Sequence, residues 1–285
     1  MYYNKKRGIM KINKIKVKSY ISRSKIKGID FVINPYIGCP NGCLYCYAKF
    51  LNNLNSKSLK WGDYLDIKIV LEDVKKLNYP YKTYLLSSTT DCYNKYEEKY
   101  EITKKVLEEL SLHHIKLIIE TKNKLILRDL DILKKIKELK VIMSLNTLDD
   151  NIRKTFEKDS SIEDRINTLK ILNKEKIYTI LNISPFLPYI TDYKQIINET
   201  KEFVKEYHFS FLNLSNNSKR EFLRCIKDNY SNLYQKYADI YLFGNNEYLI
   251  TLKNEIELYC KKNKIICYFA SKNWILFIIC VIIIL

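Results

Sequence analysis

The run Asn34-Pro-Tyr-Ile-Gly-Cys-Pro-Asn-Gly-Cys-Leu-Tyr-Cys-Tyr47 puts Cys39, Cys43 and Cys46 on one short loop, spaced Cys-x3-Cys-x2-Cys. Soft thiolates select zinc, copper(I) or iron–sulfur clusters. A closed structural zinc site takes four ligands, and an ordinary four-iron cluster also takes four cysteines. No fourth cysteine or histidine stands close by in the sequence. Three thiolates on one loop therefore point to a cluster with one iron open for chemistry. The alternatives are three unligated thiols, or a zinc knuckle that borrows a distant ligand.

Working outward from this loop, strand-like and helix-like segments alternate. Strands are expected at Asp30 to Asn34, Thr83 to Ser88, Lys116 to Thr121, Val141 to Leu145, Tyr178 to Ile183 and Phe209 to Leu214. Helices are expected at Tyr96 to Leu112, Leu130 to Leu139, Asp149 to Phe156, Ile162 to Asn173 and Tyr193 to Tyr207, and two more at Arg220 to Tyr237 and Glu247 to Lys262. The strands are apolar nearly throughout, as when both faces of a sheet are covered. Alternation with short connections implies an α/β fold of parallel strands joined by right-handed crossovers. It fits either a partial (β/α)6 TIM-like barrel or a doubly wound open sheet. Polar residues recur at the strand ends: Thr90 and Asp91, Lys122, Ser144 and Asn146, Asn182 and Ser184. Such residues can bind a ligand or cap the following helix.

The cysteine loop resembles the signature of the radical S-adenosylmethionine (SAM) superfamily. The resemblance implies a [4Fe-4S] cluster held by Cys39, Cys43 and Cys46, with SAM chelating the fourth iron. It further implies reductive cleavage of SAM to a 5′-deoxyadenosyl radical that abstracts a substrate hydrogen. Tyr45 fills the aromatic place before the third cysteine, near the adenine. Three further stretches, Ser87 to Thr103, Glu120-Thr-Lys122 and Leu127-Arg-Asp-Leu-Asp-Ile-Leu133, are similar to the spore photoproduct lyase-like branch. The match runs roughly from Asn34 to Pro188, and it selects the partial barrel over the open sheet. By this resemblance Thr90 and Ser144 contact SAM's methionine or ribose, Lys122 meets its carboxylate and Asn146 reaches the ribose. The chain departs from the branch where Glu157 is followed by Lys158 instead of proline, although Arg165 keeps its place. It departs again at Ser88, which stands where the lyase has its hydrogen-donating cysteine. Cys92 is then either a displaced hydrogen donor or a small apolar substitute.

The chain of 285 residues carries 49 Lys and Arg against 32 Asp and Glu, a formal net charge of +17. A basic surface attracts nucleic acid irrespective of sequence. The excess is overwhelmingly lysine, however, in a chain also rich in Asn, Ile and Tyr, which fits solvated decoration. The densest basic stretch, Lys5 to Lys27, alternates at Lys14-Ile-Lys-Val-Lys18 and reads as an edge strand whose lysines face water. With no apolar leader and eight cysteines in a long chain, a reducing cytoplasm is expected, with Cys92, Cys225, Cys260, Cys267 and Cys280 as free thiols. Trp274 to Leu285 is apolar over twelve residues, too short for a bilayer span of about twenty. The expected organisation is a basic extension over 1–28, a core over 29–215, a helical segment over 216–270 and an apolar tail over 271–285. A reductant such as flavodoxin or ferredoxin is the implied partner. The substrate stays open between a DNA photolesion and a protein, a tRNA or a small metabolite. A reading of a different class is a zinc-thiolate module that binds nucleic acid.

Overall fold

The computed structural model describes residues 10–49, 59–70, 80–214 and 216–269. Cys280 and the apolar tail lie outside the described residues, as do the first lysines of the basic stretch. The central sheet has eight strands in the order β11-β10-β9-β8-β7-β6-β3-β2. They are β2 (Ile21–Arg23), β3 (Phe31–Ile33), β6 (Thr83–Leu86), β7 (Lys116–Thr121), β8 (Glu138–Ser144), β9 (Tyr178–Phe186), β10 (Glu206–Phe211) and β11 (Cys267–Phe269). From β3 to β11 every pairing is parallel, and only β2 runs antiparallel. From β6 on, each strand lies beside the one before it in this sheet, as in a singly wound barrel, and β2 and β11 leave the sheet open at its edges. The fold is thus a partial TIM-like barrel, with the six expected units in place.

Side-chain alternation decides what each face of this sheet meets. On β7, Leu117, Ile119 and Thr121 are buried. Leu117, Ile119 and β8's Val141 share a core with Val106, Leu107 and Leu110 of helix α2 (Ile102–Leu110). Met143, Leu181, Ile183, Tyr207 and Phe209 pack with Ile196 and Ile197 of α6 (Tyr193–Thr200) and with Leu252 and Ile256 of α9 (Glu247–Lys262). Full burial of such a side chain contributes about 1.5–3 kcal/mol, so these two clusters fix the register. The other face is concave and carries Glu120, Asn182 and His208, each half-buried.

Several features depart from the sequence reading. The expected helix from Leu130 to Leu139 is the single turn α3 (Leu130–Leu133), because Glu138 already pairs in β8. The expected helix from Arg220 to Tyr237 is two, α7 (Asn216–Asn229) and α8 (Tyr234–Tyr241). The expected helix from Tyr96 to Leu112 is two, α1 (Glu97–Tyr100) and α2, broken at Glu101 with φ +50°. The break lets the buried Glu97 carboxylate accept the Thr103 and Lys104 amides at 2.9 and 3.1 Å and so cap α2. β10 begins at Glu206 rather than Phe209, because Tyr207 and Phe209 enter the core while Glu206 and His208 take the concave face. A second sheet was not foreseen: β1 (Lys11–Val17) pairs parallel with β5 (Tyr64–Val70), which pairs antiparallel with β4 (Tyr36–Ile37). Lys11, Lys14 and Lys16 on its edge strand are exposed, as the lysine alternation implies. The stretch before residue 29 is therefore joined to both sheets, through β1 and β2.

Candidate active site

The cysteine loop leaves β4 and lies against the chain entering β5. Gly38 has φ +83°, and a Cβ there would stand 2.6 Å from the Tyr64 carbonyl oxygen and 2.6 Å from its ring. Gly42 backs onto Gly62, whose own Cβ would fall 2.9 Å from the Gly42 Cα. Two of the glycines in this region are thus demanded by close backbone approach. Cys39 and the partly buried Cys46 pack with Ala48, Trp61 and Tyr64, while Cys43 is buried beside Glu157.

The loop is tied to the carboxyl ends of the parallel strands. The Asn34 side chain donates to Ser88 Oγ at 2.9 Å and accepts the Thr89 amide at 3.1 Å, joining β3 to the turn after β6. Thr90 Oγ1 donates to the Gly38 carbonyl at 2.6 Å. Asp91 accepts from Thr121 Oγ1 at 2.7 Å and from the Lys122 amide at 2.9 Å, joining that turn to β7. The Tyr47 hydroxyl donates to the Ser88 carbonyl. On the far side, helix α4 (Asp150–Phe156) ends against the loop, where the Leu44 amide donates to the Phe156 carbonyl at 2.8 Å.

An unforeseen ionic cluster sits beside Cys43. The Glu157 carboxylate lies 3.9 Å from Cys43 Sγ and 3.1 Å from Lys122 Nζ, and it also accepts the Tyr45 hydroxyl and pairs with Arg165. Lys122 Nζ is 3.3 Å from the Tyr45 hydroxyl and stands over the Tyr45 ring at 5.4 Å. Burial alone would push the Glu157 carboxyl up, but the Lys122 and Arg165 cations outweigh it and hold it below the usual carboxylate range. Only Glu157 and Arg165 as sequence landmarks hinted at this cluster, since their pairing spans the turn between α4 and α5 (Ile162–Lys174).

The other expected site residues are placed as follows. Tyr45 and Lys122 meet beside Cys43. Thr90 is spent on the loop tie. Ser144 and Asn146 are buried at the end of β8 and do not cap α4, a role taken by Asp149, which accepts the Asn151 and Ile152 amides. The Ser144 carbonyl accepts from Arg165 at 3.0 Å, and the Asn146 carbonyl accepts from Thr191 Oγ1 at 2.7 Å. Ser144, Asn182 and His208 are in register on neighbouring strands, and so face the same side of the sheet. There the Asn182 amide donates to Glu120 Oε1 at 3.0 Å, and His208 Nε2 lies 2.5 Å from Glu206 Oε1. Cys92 is fully buried in the apolar core with Tyr84, Leu86 and Tyr93. The Arg128 and Asp129 motif is a structural clamp onto Glu97.

The donor set fits an iron–sulfur cluster. The nearby backbone amides of Asp91 and Asn41 favour anionic sulfur at Cys39, and those of Ala48 and Lys49 do so at Cys46, against the larger opposing effect of burial. Iron binding deprotonates a coordinated thiol and offsets that burial cost. All seven cysteines among the described residues are free thiols. Among the described residues no three His, Cys, Asp or Glu side chains converge on one point as a single ion would need, whereas a cluster takes each thiolate on a different iron. Among the same residues no helix is long and apolar enough to cross a membrane.

Comparison with known proteins bears on the family and the fold. The chain is 37% identical over 227 residues to an uncharacterised protein of Methanocaldococcus jannaschii, covering 79% of this chain and 86% of that one. Its fold is similar to that of spore photoproduct lyase complexed with dinucleoside spore photoproduct, with a TM-score of 0.57 at 16% identity. That likeness covers 77% of this chain and 66% of the lyase, so the chain spans just under two thirds of it. A lyase mutant with bound AdoMet and the same dinucleoside gives a TM-score of 0.56. The model of the radical SAM superfamily matches residues 33–203, which hold the cysteine loop and the strands from β6 to β9. The chain belongs to the radical SAM superfamily.

Proposed function

We propose that the protein is an enzyme that holds a [4Fe-4S] cluster on Cys39, Cys43 and Cys46 and cleaves SAM reductively. The observation that carries this reading is the three-cysteine loop tied to the carboxyl ends of the strands, with Cys39 and Cys43 buried and Cys46 packed beside Trp61 and Tyr64. When bound, the cluster supplies the electron that splits SAM into methionine and a 5′-deoxyadenosyl radical.

The chain's own residues then have separable tasks. Trp61, Tyr64 and Ala48 pack against Cys39 and cover part of Cys46. Lys122 supplies a cation beside Cys43 for SAM's carboxylate, and Tyr45 offers a ring at the same place. Ser144 and Asn146, neither engaged in helix capping, are left to meet SAM's polar groups. The concave face with Glu120, Asn182 and His208 receives the substrate. A low-potential reductant such as flavodoxin or ferredoxin delivers the electron, in a cytoplasmic setting.

Anaerobic reconstitution with iron and sulfide, then reduction with SAM, tests the reading. Folded protein should give a SAM-responsive cluster signal and 5′-deoxyadenosine, and Cys43→Ala should abolish both. Folded wild-type protein that binds only zinc would refute it. Substrate identity is a separate question. The fold likeness to spore photoproduct lyase makes ultraviolet-irradiated DNA the first substrate to try, with restored thymine as the readout. A protein, a tRNA or a small metabolite follows if no thymine returns.

A further inference from the structure

We propose that Glu157 is the positioning residue of the cysteine loop, fixing Cys43, Tyr45 and Lys122 relative to the end of β8. Residues 156–159 run along residues 41–45 as a strap. The Leu44 amide donates to the Phe156 carbonyl at 2.8 Å, and the Lys158 amide to the Asn41 carbonyl at 3.3 Å. The Asn41 side chain donates to Asp159, which also accepts from Asn123 at 2.8 Å. Glu157 lies in the middle of this strap, its side chain fully buried, and touches all three loop-side groups at once.

Arg165 makes the connection rigid. Its guanidinium pairs with Glu157 on one side and donates to the Ser144 and Ser160 carbonyls at 3.0 and 3.1 Å on the other. A chain of contacts thus runs from the last residue of β8 through Arg165 and Glu157 to Cys43. A buried ion pair gives little net stability over a well-packed apolar pair. Its value here is directional: the Ser144 and Ser160 carbonyls fix the plane of the guanidinium, and with it the place of the paired carboxylate. The carboxylate also places a negative charge beside the sulfur of one cluster ligand. This inference rests on the cluster reading above, so the experiment includes an arm that needs no cluster.

Three variants are compared: Glu157→Gln, Glu157→Ala, and the double Glu157→Met with Arg165→Met. Glu157→Ala strands the Arg165 charge and endangers the fold, whereas the double variant removes both charges. In apo-protein, iodoacetamide alkylation of Cys43 is followed by peptide mass spectrometry, with Cys267 at the far sheet edge as reference. The expected result is a Cys43 rate about tenfold above wild type in both Glu157→Gln and the double variant, the ratio given by a lost charge-assisted hydrogen bond. After reconstitution, Glu157→Gln should raise the midpoint potential, and the double variant should hold less iron per chain. A folded double variant with wild-type Cys43 reactivity and wild-type iron loading would overturn the proposal and leave the pair a purely structural role. If wild-type protein takes up no cluster while Cys43 reactivity moves as expected, the cluster reading fails and the positioning of the loop stands.

Discussion

The Arg128 guanidinium donates to Glu97 Oε1 at 2.7 Å while it grips its neighbour Asp129 through two bonds of 2.8 Å. Glu97 and Asp129 are both buried, and Glu97 also accepts the Tyr36 hydroxyl, so one cation neutralises two interior carboxylates and ties β4 to α1 and α2. Arg128→Met would strand both charges. Its expected cost is about 3–5 kcal/mol, the usual penalty for breaking a buried pair from one side. Urea unfolding of the apo-protein measures it, and adding Glu97→Gln to the same chain should recover part of the loss.

Gly38 and Gly28 form a matched pair for testing the cysteine loop. Both have φ above +80°, but a Cβ at Gly28 meets nothing within 4 Å, whereas at Gly38 it collides with Tyr64. Gly28→Ala is expected to cost about 1 kcal/mol from backbone strain alone. Gly38→Ala adds a backbone collision and is expected to cost about 2–4 kcal/mol while displacing Cys39. Iron per chain after reconstitution should fall in the second variant and hold in the first.

The six central-sheet strands β3 and β6 to β10 are legible because a parallel sheet buried on its helix side writes apolar runs such as Leu117 and Ile119 into the sequence. The strand ends were legible for the converse reason, since Thr90, Lys122 and Ser144 interrupt those runs. Local pattern failed where a partner distant in sequence decides the structure. β5 pairs with β1 across 53 positions, and its Asp66 accepts the Asn13 amide at 2.8 Å, which no single-strand pattern shows. Glu97 falls inside an expected helix, and nothing in the sequence marks the break at Glu101 that brings the Thr103 amide onto its carboxylate. Glu157 and Arg165 were visible as landmarks, but their junction with Cys43 depends on the turn between α4 and α5 folding back on the loop.

Cys92 offers a test of burial against reactivity. Its side chain is enclosed by the apolar core, and burial pushes its thiol well up. Cys92→Ala should therefore cost about 1–2 kcal/mol by leaving a small cavity. Native Cys92 should resist alkylation under conditions that modify Cys46, which is partly exposed. Alkylation of Cys92 at the rate of Cys46 in folded protein would instead place it in the site as a hydrogen donor.

Asp159 sets the pH dependence of the strap. Burial, and then the nearby Asp91 charge, raise its carboxyl to about 7. The unfolded chain releases this proton near pH 4, so between about pH 4 and pH 7 the folded state binds more protons than the unfolded one. Stability contributed at this site is complete below the lower value, declines as pH rises through the window, and is level above it. Asp159→Asn removes the titration while keeping an acceptor for the Asn41 amide. Urea midpoints of apo-protein across that window should decline more steeply with pH in wild type than in Asp159→Asn. Parallel slopes in the two proteins would show that Asp159 is ionised throughout, held by the amides of Asn123 and Ser160.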